Sequence, residues 1–565
     1  MADFEPIPYR IRIGVTGHRK LEDPAAVQAA VKAALGSEIE KLYPKRQRPI
    51  VERIRRAGTT PILFRVLSPL AEGADRAVAR AVLDQPMARL DAVLPLAIDD
   101  YLRDFATEES KNEFRELLAR SRKPTFLRTR RIDQDRSEAR DQAELRRESY
   151  AKVGQYVVDH CDVLIAVWDG QPPRGQGGTA EIVAYAEEQN RPIIRVWGDM
   201  FEVLNRDNNG LDASALEAID RFNCQPIVSE QRESLVDKLD HDYFVKPKIA
   251  DELPAGVRDL VKGLLFPPYA QASIVAKESQ TGFYRAGKAT YALSAVAVGW
   301  AAFGVLATWQ PLIIAGFFFE LVTLVIMWLI LRQAVESHAH SNWIEYRFLA
   351  ERIRCGAFMA ICGVEPNPIE VLPYMGHSQT VNDWTVRVFD EIWDRLPPLT
   401  GCTDGECLIL NSYIREAWIG DQVSFHKKKK EREGRARQLL AKAGAVVLTV
   451  TMAVAVLHIF IQPWHPTAAG IEWAHRWLDR VLAFIALLFP AIAASLAGME
   501  AHREHLRLER RSANMAPQLE RLSRQMASAT DPARFESLLQ QVDEIMLRET
   551  QDWLMLMRYV EIKAG

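Results

Sequence analysis

Asp162-Val-Leu-Ile-Ala-Val-Trp-Asp-Gly170 runs straight into Gln171-Pro-Pro-Arg-Gly-Gln-Gly-Gly-Thr-Ala-Glu181. The first half is an apolar, partly β-branched run that reads as a buried strand, ended by Asp169 and Gly170. A loop with Gly175, Gly177 and Gly178 follows, then an expected helix from about Thr179 to Gln189. Strand, glycine loop and helix N-terminus in that order form an anion-binding device. Glycine lets backbone approach a phosphate closely, and the unpaired N–H groups of the first helical turn point at it. Thr179 supplies a hydroxyl at the cap and Glu181 an acid in the first turn, although an acid is favourable at any helix N-terminus.

Working outward, Arg10-Ile-Arg-Ile-Gly-Val-Thr16 alternates into a strand that turns out through Gly17-His18-Arg19. Asp23-Pro24 caps and starts an amphipathic helix to about Leu42. Pro61–Leu67 is a second strand, ending in Ser68-Pro-Leu-Ala-Glu72-Gly73-Ala-Asp75-Arg76, from which a helix runs to Leu83. Leu90–Leu96 is a third strand, followed by Asp99 and Tyr101, and a short strand is expected near Thr125–Arg128. The opening stretch adds another, and Pro192–Trp197 closes the series. Strands alternating with helices predict an α/β, Rossmann-like parallel sheet with right-handed crossovers, which binds ligands outside the C-terminal strand ends. Thr16 to Arg19, Ser68, Glu72 to Arg76 and Asp169 to Glu181 all fall at those ends.

The rest of the chain is different. Four apolar runs, Ala289–Ala307, Leu312–Leu331, Ala443–Ile461 and Val481–Gly498, each approach the roughly 20 residues a bilayer span needs. Basic residues flank their inner ends: Arg285 and Lys288, Arg332, Lys427 to Lys430, and Arg503 with Arg507. The positive-inside rule then predicts two hairpins with both termini cytoplasmic. Glu320 is the one charge within the second run and is expected to face a pore or a partner. The expected organisation is a nucleotide-binding domain over 1–200, a helical linker over 201–285, a first transmembrane hairpin over 286–332, a cytoplasmic helical region over 333–438, a second hairpin over 439–500 and C-terminal helices over 501–565. An all-α membrane domain with four transmembrane helices thus follows the sheet. At 565 residues the chain exceeds one core, and 71 basic against 74 acidic side chains give no argument for direct nucleic-acid binding. The six cysteines are irregularly spaced, so no metal site is expected.

Gly14-Val-Thr-Gly-His-Arg19, the Ser68–Arg76 segment, Leu94-Pro-Leu96 with Asp100–Phe105, and Gly177-Gly-Thr-Ala-Glu181 together resemble the SLOG superfamily over about residues 8–200. That group holds the Lonely-Guy phosphoribohydrolases, DNA-processing protein A and the nucleotide-sensing regions of melastatin-type channels. The resemblance implies a pocket for a nucleotide or nucleotide-derived signal, with the Gly-Gly-Thr turn on phosphate. It carries Thr16, Gly17, His18, Arg19, Ser68, Glu72, Gly73, Asp75, Arg76, Asp169, Gly170, Gly175, Gly177, Gly178, Thr179 and Glu181 as ligand-binding candidates. Lonely-Guy enzymes have Pro-Gly-Gly where this loop reads Pro173-Arg174-Gly175, which favours binding over turnover; Glu181 is the catalytic candidate if the domain is a hydrolase. Trp343–Arg354 and Tyr413–His426 resemble the SLATT membrane effectors, which are paired with such sensors in bacterial conflict systems.

The expectation is therefore a second-messenger sensor coupled to a pore-forming effector of antiviral defence in the plasma membrane. It would act as a homo-oligomer, use no cofactor beyond a nucleotide-type ligand, and depend on a separate enzyme to make the signal. A membrane-anchored phosphoribohydrolase and a constitutive ion channel with a regulatory domain are the alternatives.

Overall fold

The computed structural model describes residues 5–37, 39–121, 124–127, 139–172, 178–204, 211–367, 384–399, 401–461 and 469–558. They form two compact units, Met1–Pro226 with Glu370–Pro398, and Ile227–Ile369 with Leu399–Gly565. In the first lie β1 (Tyr9–Gly17), α1 (Pro24–Ser37), α2 (Arg48–Ala57), β2 (Ile62–Ser68), α3 (Ala74–Leu83), β3 (Arg89–Leu94), α4 (Ile98–Tyr101), α5 (Glu108–Leu118), β4 (Thr125–Phe126), α6 (Ala139–His160), β5 (Val163–Val167), α7 (Thr179–Glu188), β6 (Ile193–Trp197), β7 (Met200–Leu204) and α8 (Ser214–Asn223). The second opens with α9 (Ser229–Asp240), α10 (Val257–Leu264), α11 (Phe266–Leu306), α12 (Gln310–Glu336) and α13 (Ala339–Ile361). Helix α14 (Trp384–Trp393) returns to the first unit, and α15 (Asp404–Tyr413), α16 (Asp421–Ile461), α17 (Ala469–Arg503), α18 (His505–Met526) and α19 (Pro532–Arg558) complete the second.

The seven strands run in the order β4-β3-β2-β1-β5-β6-β7. Neighbours from β4 to β6 pair in parallel, as alternation with helices requires. β5 is buried along its whole length, which explains its unbroken apolar sequence. β7 corrects the expectation of a purely parallel sheet that ends at Trp197. It pairs antiparallel with β6 because Gly198, at φ +60°, and Asp199 make a two-residue turn that sends the chain straight back along the strand expected to close the series. The start of α1 is capped as read: Asp23 Oδ1 accepts from the N–H of Ala25 at 2.9 Å and of Ala26 at 3.0 Å.

The first unit extends past residue 200 and takes in a helix that follows α11, α12 and α13 in sequence. α14 holds its place through charge. Arg387 Nη2 meets Asp162 Oδ1 at 2.6 Å, Arg10 Nε meets Glu391 Oε1 at 2.7 Å, and Arg89 Nη1 meets Asp394 Oδ2 at 2.6 Å. Arg65 joins the set through Asp91 at 3.2 Å and Glu391 at 3.3 Å. Burial raises the Asp162 carboxyl, but Arg387 and Arg12 outweigh it and hold the group below its ordinary value.

In the second unit α11 packs along α12, α13 and α17, while α16 packs along α17 and α18. Four helices here are long and apolar enough to cross a membrane. Their large side chains, among them Ile314, Phe318, Leu321, Val446, Ile459 and Phe460, are exposed, as a lipid-facing surface would be. α11 and α12 approach backbone to backbone: a Cβ on Gly316 would lie 2.6 Å from Gly304 Cα. Glu320 is half-buried on α12. Beyond these helices, Trp418 is fully buried and stacked on Phe358 with ring centroids 4.9 Å apart.

Candidate functional site

Strand order reverses between β1 and β5, because β1 leads outward to β2 on one side while β5 leads to β6 on the other. The loops leaving these two strands diverge and leave a crevice at their C-terminal ends. A cavity of about 410 Å³ occupies it. β1 and the turn after it contribute Thr16, Gly17, His18 and Arg19, the β2–α3 segment contributes Asp75, and α4 contributes Tyr101. From α6 come Arg147 and Tyr150, and from the β5–α7 segment come Trp168, Asp169, Gly178 and Thr179.

Each wall is held locally. His18 N–H donates to Val167 O at 3.1 Å and its carbonyl accepts from Ala74 N–H at 3.0 Å, tying the turn to β5 and α3. His18 Nε2 lies 3.3 Å from the backbone nitrogen and from a carboxylate oxygen of Asp169. Gly73 has φ +81°, and a Cβ there would sit 2.3 Å from Arg19 O, so only glycine lets α3 start this close to the turn. Gly17 is equally confined, by Ala74 and Val167.

The electrostatics favour an anion. The Arg19 guanidinium lies 5.1 Å from the Tyr150 ring centroid. Burial works against its charge, yet Tyr150, Tyr101 and Asp104 prevail and raise its pKa. Asp75 is buried, and burial lifts its carboxyl to about 7 against the Ala71 N–H, Arg19 and Arg76. Gly178 is the N-cap of α7, and intrahelical bonding begins with Glu181 and Ile182 N–H on Gly178 O. The N–H groups of Thr179 and Ala180 precede those bonds, and both residues line the cavity. Tyr101 is fully buried there, and among the described residues its Oη has no hydrogen-bond partner.

The structure divides the candidates. Thr16, Gly17, His18, Arg19, Asp75, Asp169, Gly178 and Thr179 line one cavity. Ser68 and Arg76 are buried scaffolding: Ser68 Oγ accepts from Leu70 N–H at 3.0 Å, and Arg76 reaches Leu70 O at 3.1 Å and Glu113 at 2.9 Å. Glu72 accepts from Ser110 Oγ and is likewise outside the lining, as is Gly73. Gly170, at φ +81°, packs against Arg195. Glu181 sits in the first turn of α7 and is not among the lining residues. Gly175 and Gly177 lie outside the described residues.

Sequence reading missed Arg147 and Tyr150. Their signal was available, since Arg147, Tyr150 and Gly154 recur at helical spacing and all line the cavity. Among the described residues no group of three or more His, Cys, Asp or Glu side chains has the geometry to hold a metal ion. Comparison with known protein families, curated proteins and solved structures finds no match to this chain.

Proposed function

We propose that the first unit binds a phosphate-bearing, nucleotide-derived small molecule and that the second unit is a membrane effector responding to it. The observation that carries the reading is the cavity at the β1/β5 reversal. It brings Arg19, Arg147 and the N-terminus of α7 together with aromatic Tyr150 and Trp168. Cationic groups and free helix N–H groups suit phosphates, and aromatic faces suit a base. The SLOG resemblance points to the same ligand class. Glu181 standing outside the lining supports binding rather than glycosidic turnover.

The four long apolar helices support a bilayer location. The finer reading is two hairpins with both termini cytoplasmic, in a SLATT-like homo-oligomer that opens a pore, in a plasma membrane under phage attack, when a separate enzyme makes the signal. Ligand binding opens the pore only by preferring the open state. The test is the full chain in dye-loaded liposomes, challenged with ADP-ribose, cyclic ADP-ribose, NAD and cyclic oligonucleotides. Leakage triggered by one ligand, recovered intact by mass spectrometry and lost in Gly178→Asp, is expected. Leakage indifferent to every ligand would refute the gating model, and recovery of free base would make the unit a hydrolase.

A further inference from the structure

The second unit holds a larger cavity, about 630 Å³, where α11, α13, α16, α17 and α19 meet beside the apolar stretches. Its lining is strongly basic. Three acids contribute, and each has a cation: Glu351 pairs with Arg347 and Arg354 at 2.5 Å, Glu433 with Arg432 at 3.0 Å, and Glu549 with Arg511 at 3.1 Å. Arg285, Lys288, Lys429 and Arg503 also line it, and among the described residues none of these four is in an ion pair with a carboxylate.

Two of the four are half-buried rather than solvated. The Arg503 guanidinium lies 4.8 Å from the Tyr284 ring centroid, and Lys429 Nζ lies 5.5 Å from that of Phe425. Arg503 Nε is buried with no hydrogen-bond partner among the described residues. Unpaired, partly desolvated cations are costly, and an anion would relieve that cost. Burial, helped by Arg347 and Arg511 and opposed by Glu549, lowers the Lys429 pKa, as expected for an ammonium short of counter-charge. Lys288 directly precedes the apolar run beginning at Ala289, and Arg503 follows closely on the run ending at Gly498. The cavity therefore adjoins the level where these helices leave a bilayer.

We infer that this cavity is a second anion site, taking one phosphate group between Arg285, Lys288, Lys429 and Arg503, independent of the cavity in the sheet unit. The phosphate comes either from an anionic phospholipid headgroup or from a soluble phosphate. Calorimetric titration of the full chain in non-ionic detergent tests this with three probes: dihexanoyl phosphatidylglycerol, zwitterionic dihexanoyl phosphatidylcholine and inorganic phosphate. Saturable binding of phosphatidylglycerol but not phosphatidylcholine identifies a headgroup site, and saturable inorganic phosphate identifies a soluble one. Either should weaken about tenfold in Lys429→Gln and Arg503→Gln and stay unchanged in Lys428→Gln, which lies outside the lining. Arg285 is exposed, so Arg285→Gln carries the test if the half-buried variants fail to fold. No saturable binding, or equal weakening by Lys428→Gln, overturns the proposal. Gly178→Asp should leave this binding intact, which separates its outcome from that of the sheet-unit ligand.

Discussion

Arg387 and Asp162 are 225 positions apart in the chain and 2.6 Å apart in space. Both are almost wholly buried, and Arg387 also donates to Arg10 O at 3.0 Å. A helix that follows α11 and α12 in sequence thus reaches the foot of β5, the strand that leads to the cavity at the β1/β5 reversal.

Breaking that pair should loosen the sheet. Arg387→Met removes the buried ion-pair partner of Asp162, at a cost of about 3–5 kcal/mol. Hydrogen exchange of the β1 and β5 amides should accelerate accordingly. Adding Asp162→Asn should recover part of the loss, because the buried charge is then gone. Unchanged protection in Arg387→Met would mean that α14 contributes little to the fold.

Asp75 gives the sheet unit a pH dependence of definite sign. Its carboxyl titrates at about 7 when folded, above its ordinary 3.8, so the folded state retains a proton that the unfolded state has released. The stability it contributes is full below the ordinary value and is lost as pH rises through 7. Thermal melts should fall from pH 5 to pH 8, and Asp75→Asn should flatten that slope. The neutral acid also leaves Arg19 to an anion, so ADP-ribose, whose diphosphate charge is constant over this range, should bind more tightly at pH 6 than at pH 8. A pH profile identical in Asp75→Asn would remove Asp75 from the account.

Tyr101 separates binding from stability. Its buried hydroxyl has no partner among the described residues, so Tyr101→Phe should leave the melting temperature unchanged or raise it. If the hydroxyl serves the ligand, the same variant weakens nucleotide binding by about tenfold. A fall in stability without loss of affinity would assign the hydroxyl a structural partner instead.

Gly316 tests the contact of α11 with α12. A leucine there has no room against Gly304, and close backbone approach is a main source of attraction between helices in lipid. Disulfide trapping between cysteines placed on the two helices should drop in Gly316→Leu. Equal trapping would show that the helices pair without this approach.

The parallel strands β1, β2, β3, β5 and β6 were legible because each is a largely apolar run closed by Gly, Pro or Asp, and the long apolar helices because each runs for about 20 residues with almost no charge. β7 was missed although Met200–Leu204 is apolar at all but Glu202, because it is half-exposed and only the Gly198-Asp199 turn sets it off from β6. α14 was missed for a different reason. Arg387 and Glu391 are buried by partners more than two hundred positions away, and helical periodicity reads such residues as a solvated face. In the cavity, strand-end residues were readable from topology, since the crevice opens where the loops after β1 and β5 part. Arg147 and Tyr150 lie upstream on a helix whose facing follows from packing, and Ser68 and Arg76 look like ligand residues until their backbone partners are known.

The return of α14 also imposes an order of events during synthesis. The ribosome releases β1 to α8 first, yet Asp162 and Arg10 must wait for residues beyond α12 before their buried ion pairs form. In a chain that inserts as it is made, α11 and α12 would enter the bilayer before the sheet unit is finished. A nascent chain could not then complete the sheet unit before α11 and α12 have been made, so the timing of translation itself would couple the last step of folding in that unit to the emergence of the apolar helices.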